Sequence, residues 1–483
     1  MKWLLPLALL AVSHPAAPPS AAPEAPLDQA ALRRHIEYLA SDSLQGRAPG
    51  SEGGVKAAYY IASELAGAGL APGAPDGSWY QPVDLVERTP MTATAEWRVK
   101  GHAIALDPSL GRFIAMEGGT RLVAAPVVFA GYGTTTGGAD LKGKVVLLLS
   151  GKPSEGVQGF EVRRRAIAAQ GAAAVIALSG ENDPWALIHD QLGRGRTVAS
   201  GETHAPVEGA LAFPAWIRLV DPELVVAAKS LEFSPHLLPV TLDLSATSHV
   251  RRYSSVNVIA RIAGHGRAGE AVLFLAHWDH LGLCRPEGAA DRICNGAVDN
   301  ASGIAALIEV ARRIEHGPPL QRSLYFVATT GEEMGLLGAR ALVRSPPLPL
   351  EHIAAALNFD TIAISPAGEP VATIGRGMTP LDPLIDAAIR SQGRLIDDSE
   401  AANAFLGRQD GWALMEAGVP AVMIGGAFSD SARLGAFLAG DYHSPIDDIA
   451  HLPPLDGAAE DGALHVVLGR MLADPGLFPL RAK

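Results

Sequence analysis

The chain has 483 residues, with 39 Lys and Arg against 51 Asp and Glu, a formal net charge of −12 and a hydrophobic fraction of 48%. At roughly 100–200 residues per domain, that length implies two to four domains with ample material for a buried core. The composition excludes a disordered polyelectrolyte, and the lack of long apolar runs excludes a polytopic membrane protein. The acidic balance argues against a nucleic-acid partner, since the one basic cluster, Arg163-Arg164-Arg165, reads as a solvated helix face.

Residues 1–27 hold one lysine, an apolar run from Trp3 to Val12, then small residues and proline. That run is too short to cross a bilayer and suits the core of a secretory signal. The expectation is an exported chain, periplasmic or secreted, with no membrane span in its mature form and a disordered lead-in as far as Pro26. The only cysteines, Cys284 and Cys294, lie ten positions apart in the loop-like LCRPEGAADRIC. In an oxidising compartment they could form a disulfide stapling that loop; the other reading is two free thiols. Their spacing fits neither a redox CxxC nor a four-cysteine zinc site.

From Asp28 to about Leu70 the spacing of apolar residues is helical, broken by the turn-like QGRAPGSEGG. From about Gly111 to Val250 short β-like runs such as APVVFAGYG and KGKVVLLLS alternate with glycines, so residues 111–250 read as a separate β-rich insert. After Ser254 strands and helices alternate. The expected strands are 256–262, 271–276, 323–329, 354–359 and 420–425, and the expected helices 301–316, 334–344, 379–392 and 411–418. This pattern predicts an α/β fold, a mixed and mostly parallel sheet with helices on both faces. Residues 28–110 and 251–475 would then form one split domain.

In such sheets the crevice lies beyond the carboxyl ends of the strands. There the sequence places His277-Trp278-Asp279-His280 after one strand, Glu332-Glu333 after another and Asp360 after a third, with Asp299 at the entry to a helix. Singly, each reads as readily as a cap or a salt-bridge partner. Together, carboxylates crowded into one crevice cannot all stay ionised without cations, and a His and carboxylate donor set without thiolate suits zinc, with cobalt or manganese as substitutes. The side chains of Glu332 and Glu333 must diverge, so one can bind metal while the other takes a proton from water. Near the carboxyl terminus Tyr442-His443 sits in a loop with Asp447, residue types that donate to an oxyanion and orient an imidazole.

AHWDH, GAVDNASG, GEE, NFD and YHSP, in that order, resemble the dinuclear zinc aminopeptidases of the aminopeptidase Y and bacterial leucyl aminopeptidase family. The insert is similar to the protease-associated domain of that family's larger members. The resemblance implies the zinc exopeptidase fold and two Zn2+ ions, His277 and Asp360 holding one, Glu333 and His443 the other, and Asp299 bridging them. It implies Glu332 as the general base acting on a bridging hydroxide, Tyr442 as the oxyanion donor, Asp279 as the partner orienting His277, and no metal contact for His280. The Asp299–Asn300 peptide is a candidate for the cis form. Gln409 departs from the family's usual pattern beside Asp410, and Arg408 is a candidate pocket residue near the substrate's terminus. The implied reaction is hydrolysis of the first peptide bond of a peptide with a free amino terminus. A carboxypeptidase or glutaminyl cyclase on the same fold, and a non-catalytic receptor-like ectodomain, are the alternatives; oligomeric state is unknown.

Overall fold

The computed structural model describes residues 23–135, 137–151 and 159–480. The expected secretory signal therefore falls mostly outside the described residues. Among those described, no helix is long and apolar enough to cross a membrane. The chain divides into two compact units, Met1–Val83 with Ser255–Lys483, and Asp84–Ser254.

In the first unit the sheet runs in the order Ala372–Ile374, Ala421–Gly425, Ile353–Asn358, Arg267–His277, Arg322–Thr329 and then residues 258–262. The three central pairings are parallel and the two outer ones antiparallel, the mixed, mostly parallel sheet expected. The central strands are apolar on both faces because both faces are covered. Val272, Phe274 and Ala276 point into a core shared with the helices Gln29–Leu39, Glu52–Gly67, Gly303–Glu315 and Asp456–Leu472. Leu273 and Leu275 point the other way, onto Leu342 and Leu414 of the helices Leu337–Arg344 and Gly411–Glu416. Two side chains start the amino-terminal helices: Asp28 accepts the Ala30 N–H, and Ser51 accepts that of Gly54.

The lead-in expected to be disordered up to Pro26 is docked from Glu24 onward. Glu24 pairs with Arg470 at 2.6 Å, and Leu27, 4% exposed, donates its N–H to the Ala459 carbonyl. Burial of one leucine and an ion pair against the Asp456–Leu472 helix holds a stretch that composition alone marks as a linker.

The second unit is built on the strands Gly119–Phe129, Val145–Leu149, Ala174–Leu178 and Val207–Leu211, paired in parallel, with Gly111–Ala115 antiparallel at the edge. It begins earlier than the expected residue 111. The strand Tyr80–Val99 pairs through residues 85–88 with Arg196–Ala199 and through 97–99 with His102–Ile104, which draws residues 84–110 into this unit. The arginine triplet is no solvated face either. Arg163 and Arg164 are each 2% exposed: Arg164 is ion-paired with Glu161, Glu202 and Glu208, and Arg163 donates to the Gly151 carbonyl. Buried guanidinium groups need such partners.

Candidate metal centre

Strand register sets the site. His277 lies level with Thr329 in the parallel ladder, and Leu275 with Asn358, so three strands end side by side. Polar residues that would be costly inside the sheet stand at or within four residues of each strand end: His277 closes one strand, Glu332 and Glu333 come just after the second, and Asp360 just after the third. The fourth contribution is the irregular segment Ala297–Ser302 at the head of the Gly303–Glu315 helix, and its Asp299–Asn300 peptide is cis. Asn300 spans two of these pieces, its Nδ2 donating to the Phe359 carbonyl and its Oδ1 accepting the Gly303 N–H. Gly296 lets the segment tuck in: at φ +61°, a Cβ there would stand 2.2 Å from the Asp299 carbonyl oxygen and 2.6 Å from the His280 ring.

The two carboxylate oxygens of Asp299 face different partners. Oδ1 is 3.3 Å from Nε2 of His277, which is itself 3.7 Å from Asp360 Oδ1. Oδ2 is 3.4 Å from Nε2 of His443, which is 2.9 Å from Glu333 Oε2. Two donors bound at about 2.1 Å to one tetrahedral zinc stand about 3.4 Å apart, so this spacing suits one cation in each group. One orphaned atom agrees: Nε2 of His443 is buried and, although 2.9 Å from Glu333, makes no well-aligned hydrogen bond. His443 and Thr361, beside Asp360, hold positive φ values of 57° and 55°, a cost met here at the edge of the site.

Electrostatics shows the same demand for cations. Burial would lower both imidazoles, but the surrounding carboxylates prevail: Asp299 and Glu333 push His443 up to about 10, and Glu332, Asp299 and Asp360 hold His277 well above its ordinary value. Burial and Asp299 push Glu333 up, yet His280 and His443 draw it down to about 2. Glu332 is raised well above the usual carboxylate range by burial, and burial pushes Asp279 up to about 7 and Asp410 to about 6.

Glu332 and Glu333 diverge as adjacent side chains must. Glu332 Oε2 comes to 4.0 Å from Nε2 of His277, whereas Glu333 turns to His443 and, at 2.8 Å, to Nδ1 of His280. His280, expected to have no metal contact, thus buttresses a candidate ligand, and with Asp299 and Glu333 it forms a compact donor group of its own. Asp279 differs from expectation. Nδ1 of His277 bonds the main-chain carbonyl of Asp279 at 3.2 Å, while the Asp279 carboxylate stands 3.9 Å off and accepts the Glu332 N–H. Asp447 does not orient an imidazole; it accepts the main-chain N–H groups of Val298 and Asp299.

Tyr442 stacks on the His443 ring, with 3.7 Å between centroids, and together with Asp299, Glu332 and Asp360 it lines a narrow cavity of about 40 Å³. The other walls are Phe405, Met423, Phe428, Leu434 and Leu438. Arg408 is exposed at this pocket, its guanidinium 3.5 Å from the Tyr442 hydroxyl. Gln409 is a local turn residue whose Oε1 accepts the Gly411 N–H. Cys284 and Cys294 are disulfide-bonded, with Cα atoms 5.7 Å apart, in the hairpin that leads to Asn295 and Gly296. The Asp299–Asn300 cis peptide is as expected, whereas the bridging of Asn300 to Phe359 and the burial of Arg47 carry no local signal in the sequence.

A buried α/β sheet with polar ligand groups at its strand ends defines a metallohydrolase-type crevice. Residues 257–465, which contain all of the converging donors, match the profile of peptidase family M28. Among curated proteins the chain is 28% identical over 235 residues to a probable lipoprotein aminopeptidase of Mycobacterium tuberculosis, a match covering 44% of this chain and 43% of that protein. It is 30% identical over 129 residues to the alkaline phosphatase isozyme conversion protein of Escherichia coli, covering 25% and 36%. The chain therefore spans less than half the length of either relative. Among solved structures, an aminopeptidase from Aneurinibacillus sp. strain AM-1 superposes with a TM-score of 0.54 at 18% identity, covering 95% of this chain and 97% of that one, which shows a shared fold.

Proposed function

We propose that the protein is an exported zinc aminopeptidase that removes the first residue from peptides with a free amino terminus. The observation that carries this reading is the divided carboxylate of Asp299, one oxygen toward His277 and Asp360 and the other toward His443 and Glu333. Those five side chains would hold two Zn2+ ions, with cobalt or manganese as substitutes. Bound there, zinc supplies Lewis-acid polarisation and makes water acidic enough to deprotonate near neutral pH.

The rest is done by the chain's own groups. Among the described residues Glu332 makes no ion pair with a lysine or arginine, and its carboxylate lies at the pocket wall, placed to take a proton from water and return it to the departing amine. The Tyr442 hydroxyl donates to the scissile carbonyl oxygen as negative charge builds on it. Phe405, Met423, Phe428 and Leu434 exclude water around the first side chain, and the carboxylates lining the pocket receive the α-ammonium. Arg408 stands at the pocket entrance, near the substrate's terminus. The apolar run in residues 3–12 supports export, and the β-rich unit Asp84–Ser254 is read as a protease-associated domain.

The test is release of a coumarin from aminoacyl conjugates, run with and without chelator and with the amino group acetylated. Activity that chelation abolishes, zinc restores and acetylation blocks is the expected result. Cleavage that tolerates acetylation, or that survives chelation, overturns the reading.

A further inference from the structure

The turn Gln45-Gly46-Arg47 holds three consecutive left-handed residues, with φ of 46°, 68° and 40°. For the two non-glycine residues that conformation costs on the order of 1 kcal/mol each, so the surroundings must over-determine it. They do. A Cβ on Gly46 would stand 2.4 Å from the Cys294 carbonyl oxygen and 2.7 Å from that of Gly282, so the turn is pressed against the disulfide hairpin.

Arg47 is wholly buried, and its guanidinium is spent on main-chain carbonyls. Nε donates to Trp278 at 2.7 Å, Nη1 to Leu39 at 3.1 Å and to Asn295, and Nη2 to Gly296 at 2.7 Å and Asp299 at 3.5 Å. Trp278 directly follows His277, and Asn295, Gly296 and Asp299 belong to the segment that presents the divided carboxylate. One planar fork thus ties an amino-terminal turn to the backbone under two candidate ligands. A lysine, with donors radiating from a single point, cannot span those carbonyls. Burial lowers Arg47 to about 10, so it stays charged at neutral pH beside Asp447, Asp299, Asp279 and Glu333.

We propose that Arg47 is a positioning residue of the metal centre, holding the His277 and Asp299 backbones in donor geometry, with one fixed positive charge, before any ion binds. The proposal rests on the metal-site reading above. It makes the segment around residue 47, outside the matched peptidase stretch, part of the metal-binding apparatus.

The test is zinc affinity of the metal-free full-length chain, measured by competition with a chromophoric chelator, together with the Co2+ absorption spectrum. Arg47→Met and Arg47→Lys are compared with Leu44→Ala, which removes a buried side chain of the same turn and leaves the guanidinium in place. Both Arg47 variants should lose at least tenfold in zinc affinity and show an altered Co2+ spectrum, with Lys recovering only part. Leu44→Ala should melt earlier and bind zinc as the wild type does. A folded Arg47 variant within twofold of wild-type affinity overturns the proposal. So does equal weakening by Leu44→Ala, or failure of both Arg47 variants to fold, since either would make the residue a fold determinant alone. Absence of zinc binding by the wild type would instead overturn the metal-site reading.

Discussion

Asp447 accepts the main-chain N–H of Asp299 at 3.0 Å, and its other carboxylate oxygen accepts that of Val298 at 2.7 Å. Asp447 lies four positions beyond His443, so a single loop both supplies a candidate ligand and fixes the backbone of the residue placed between the two donor groups. Asp447→Asn keeps the shape but exchanges an acceptor for a donor that faces an N–H. Groups that orient ligands in this way typically account for about 10–100-fold in metal affinity. The expected outcome is zinc binding weakened within that range in a folded protein, measured by chelator competition. Wild-type affinity would show that the segment holds its conformation without Asp447.

Replacing Glu332 by Gln separates proton transfer from metal binding. Glu332 comes only to 4.0 Å from the nearest imidazole nitrogen, whereas Glu333 lies 2.9 Å from His443. The Glu332 variant should keep the zinc content of the wild type and lose about 10²–10⁴-fold in turnover. Glu333→Gln should lose metal. Metal analysis beside single-turnover assays checks both, and a Glu332 variant with normal turnover would remove it from the proton-transfer role.

Much of this site is legible along the sequence because parallel strands buried on both faces read as apolar runs, and whatever polar residue follows such a run must lie at the carboxyl edge. His277, Glu332, Glu333 and Asp360 are all of that kind. The roles of Arg47, Asp447 and Asp279 are not legible, because they depend on side-chain contacts to main-chain groups more than a hundred positions away or on which atom of a residue faces the ring. Arg47 is an arginine in a turn, ordinarily a surface feature; only the fold shows it buried against residue 295. The start of the second unit was hidden for a different reason. Tyr80–Val99 is one continuous strand that runs past Pro82 and Pro90 while its partners change, so no break between elements marks the boundary.

The Cys284–Cys294 disulfide closes a short hairpin with a sequence separation of 10 that ends beside Asn295. Loop-closure entropy for a ring of this size is worth about 2–3 kcal/mol. The double Cys→Ser variant should therefore have a lower melting midpoint, and faster hydrogen exchange confined to residues 282–296, with Arg47 still holding the Asn295 and Gly296 carbonyls. An unchanged midpoint would mean that the packing of Gly46 against the hairpin already restrains it.

His465 offers a pH-dependent test on a group that is not itself one of the donors. It is fully buried on the Asp456–Leu472 helix, its Nδ1 bonded to the Asp461 carbonyl and its ring 4.1 Å from that of Phe359. Burial, with Arg394 adding to it and the Asp461 carbonyl opposing, lowers its pKa from 6.5 to about 4. The unfolded chain therefore takes up the proton first, so stability present above pH 6.5 is lost as the pH falls toward 4. By pH 4.5 that loss is on the order of 2–3 kcal/mol. Asp461, raised by burial against the pull of Arg394, works in the opposite sense, because its folded form binds the proton more tightly. A comparison of wild type with His465→Gln at pH 7 and pH 4.5 cancels that contribution. The variant's melting midpoint should fall less on acidification than the wild type's, and equal falls would show that protonation of His465 does not drive the acid limb.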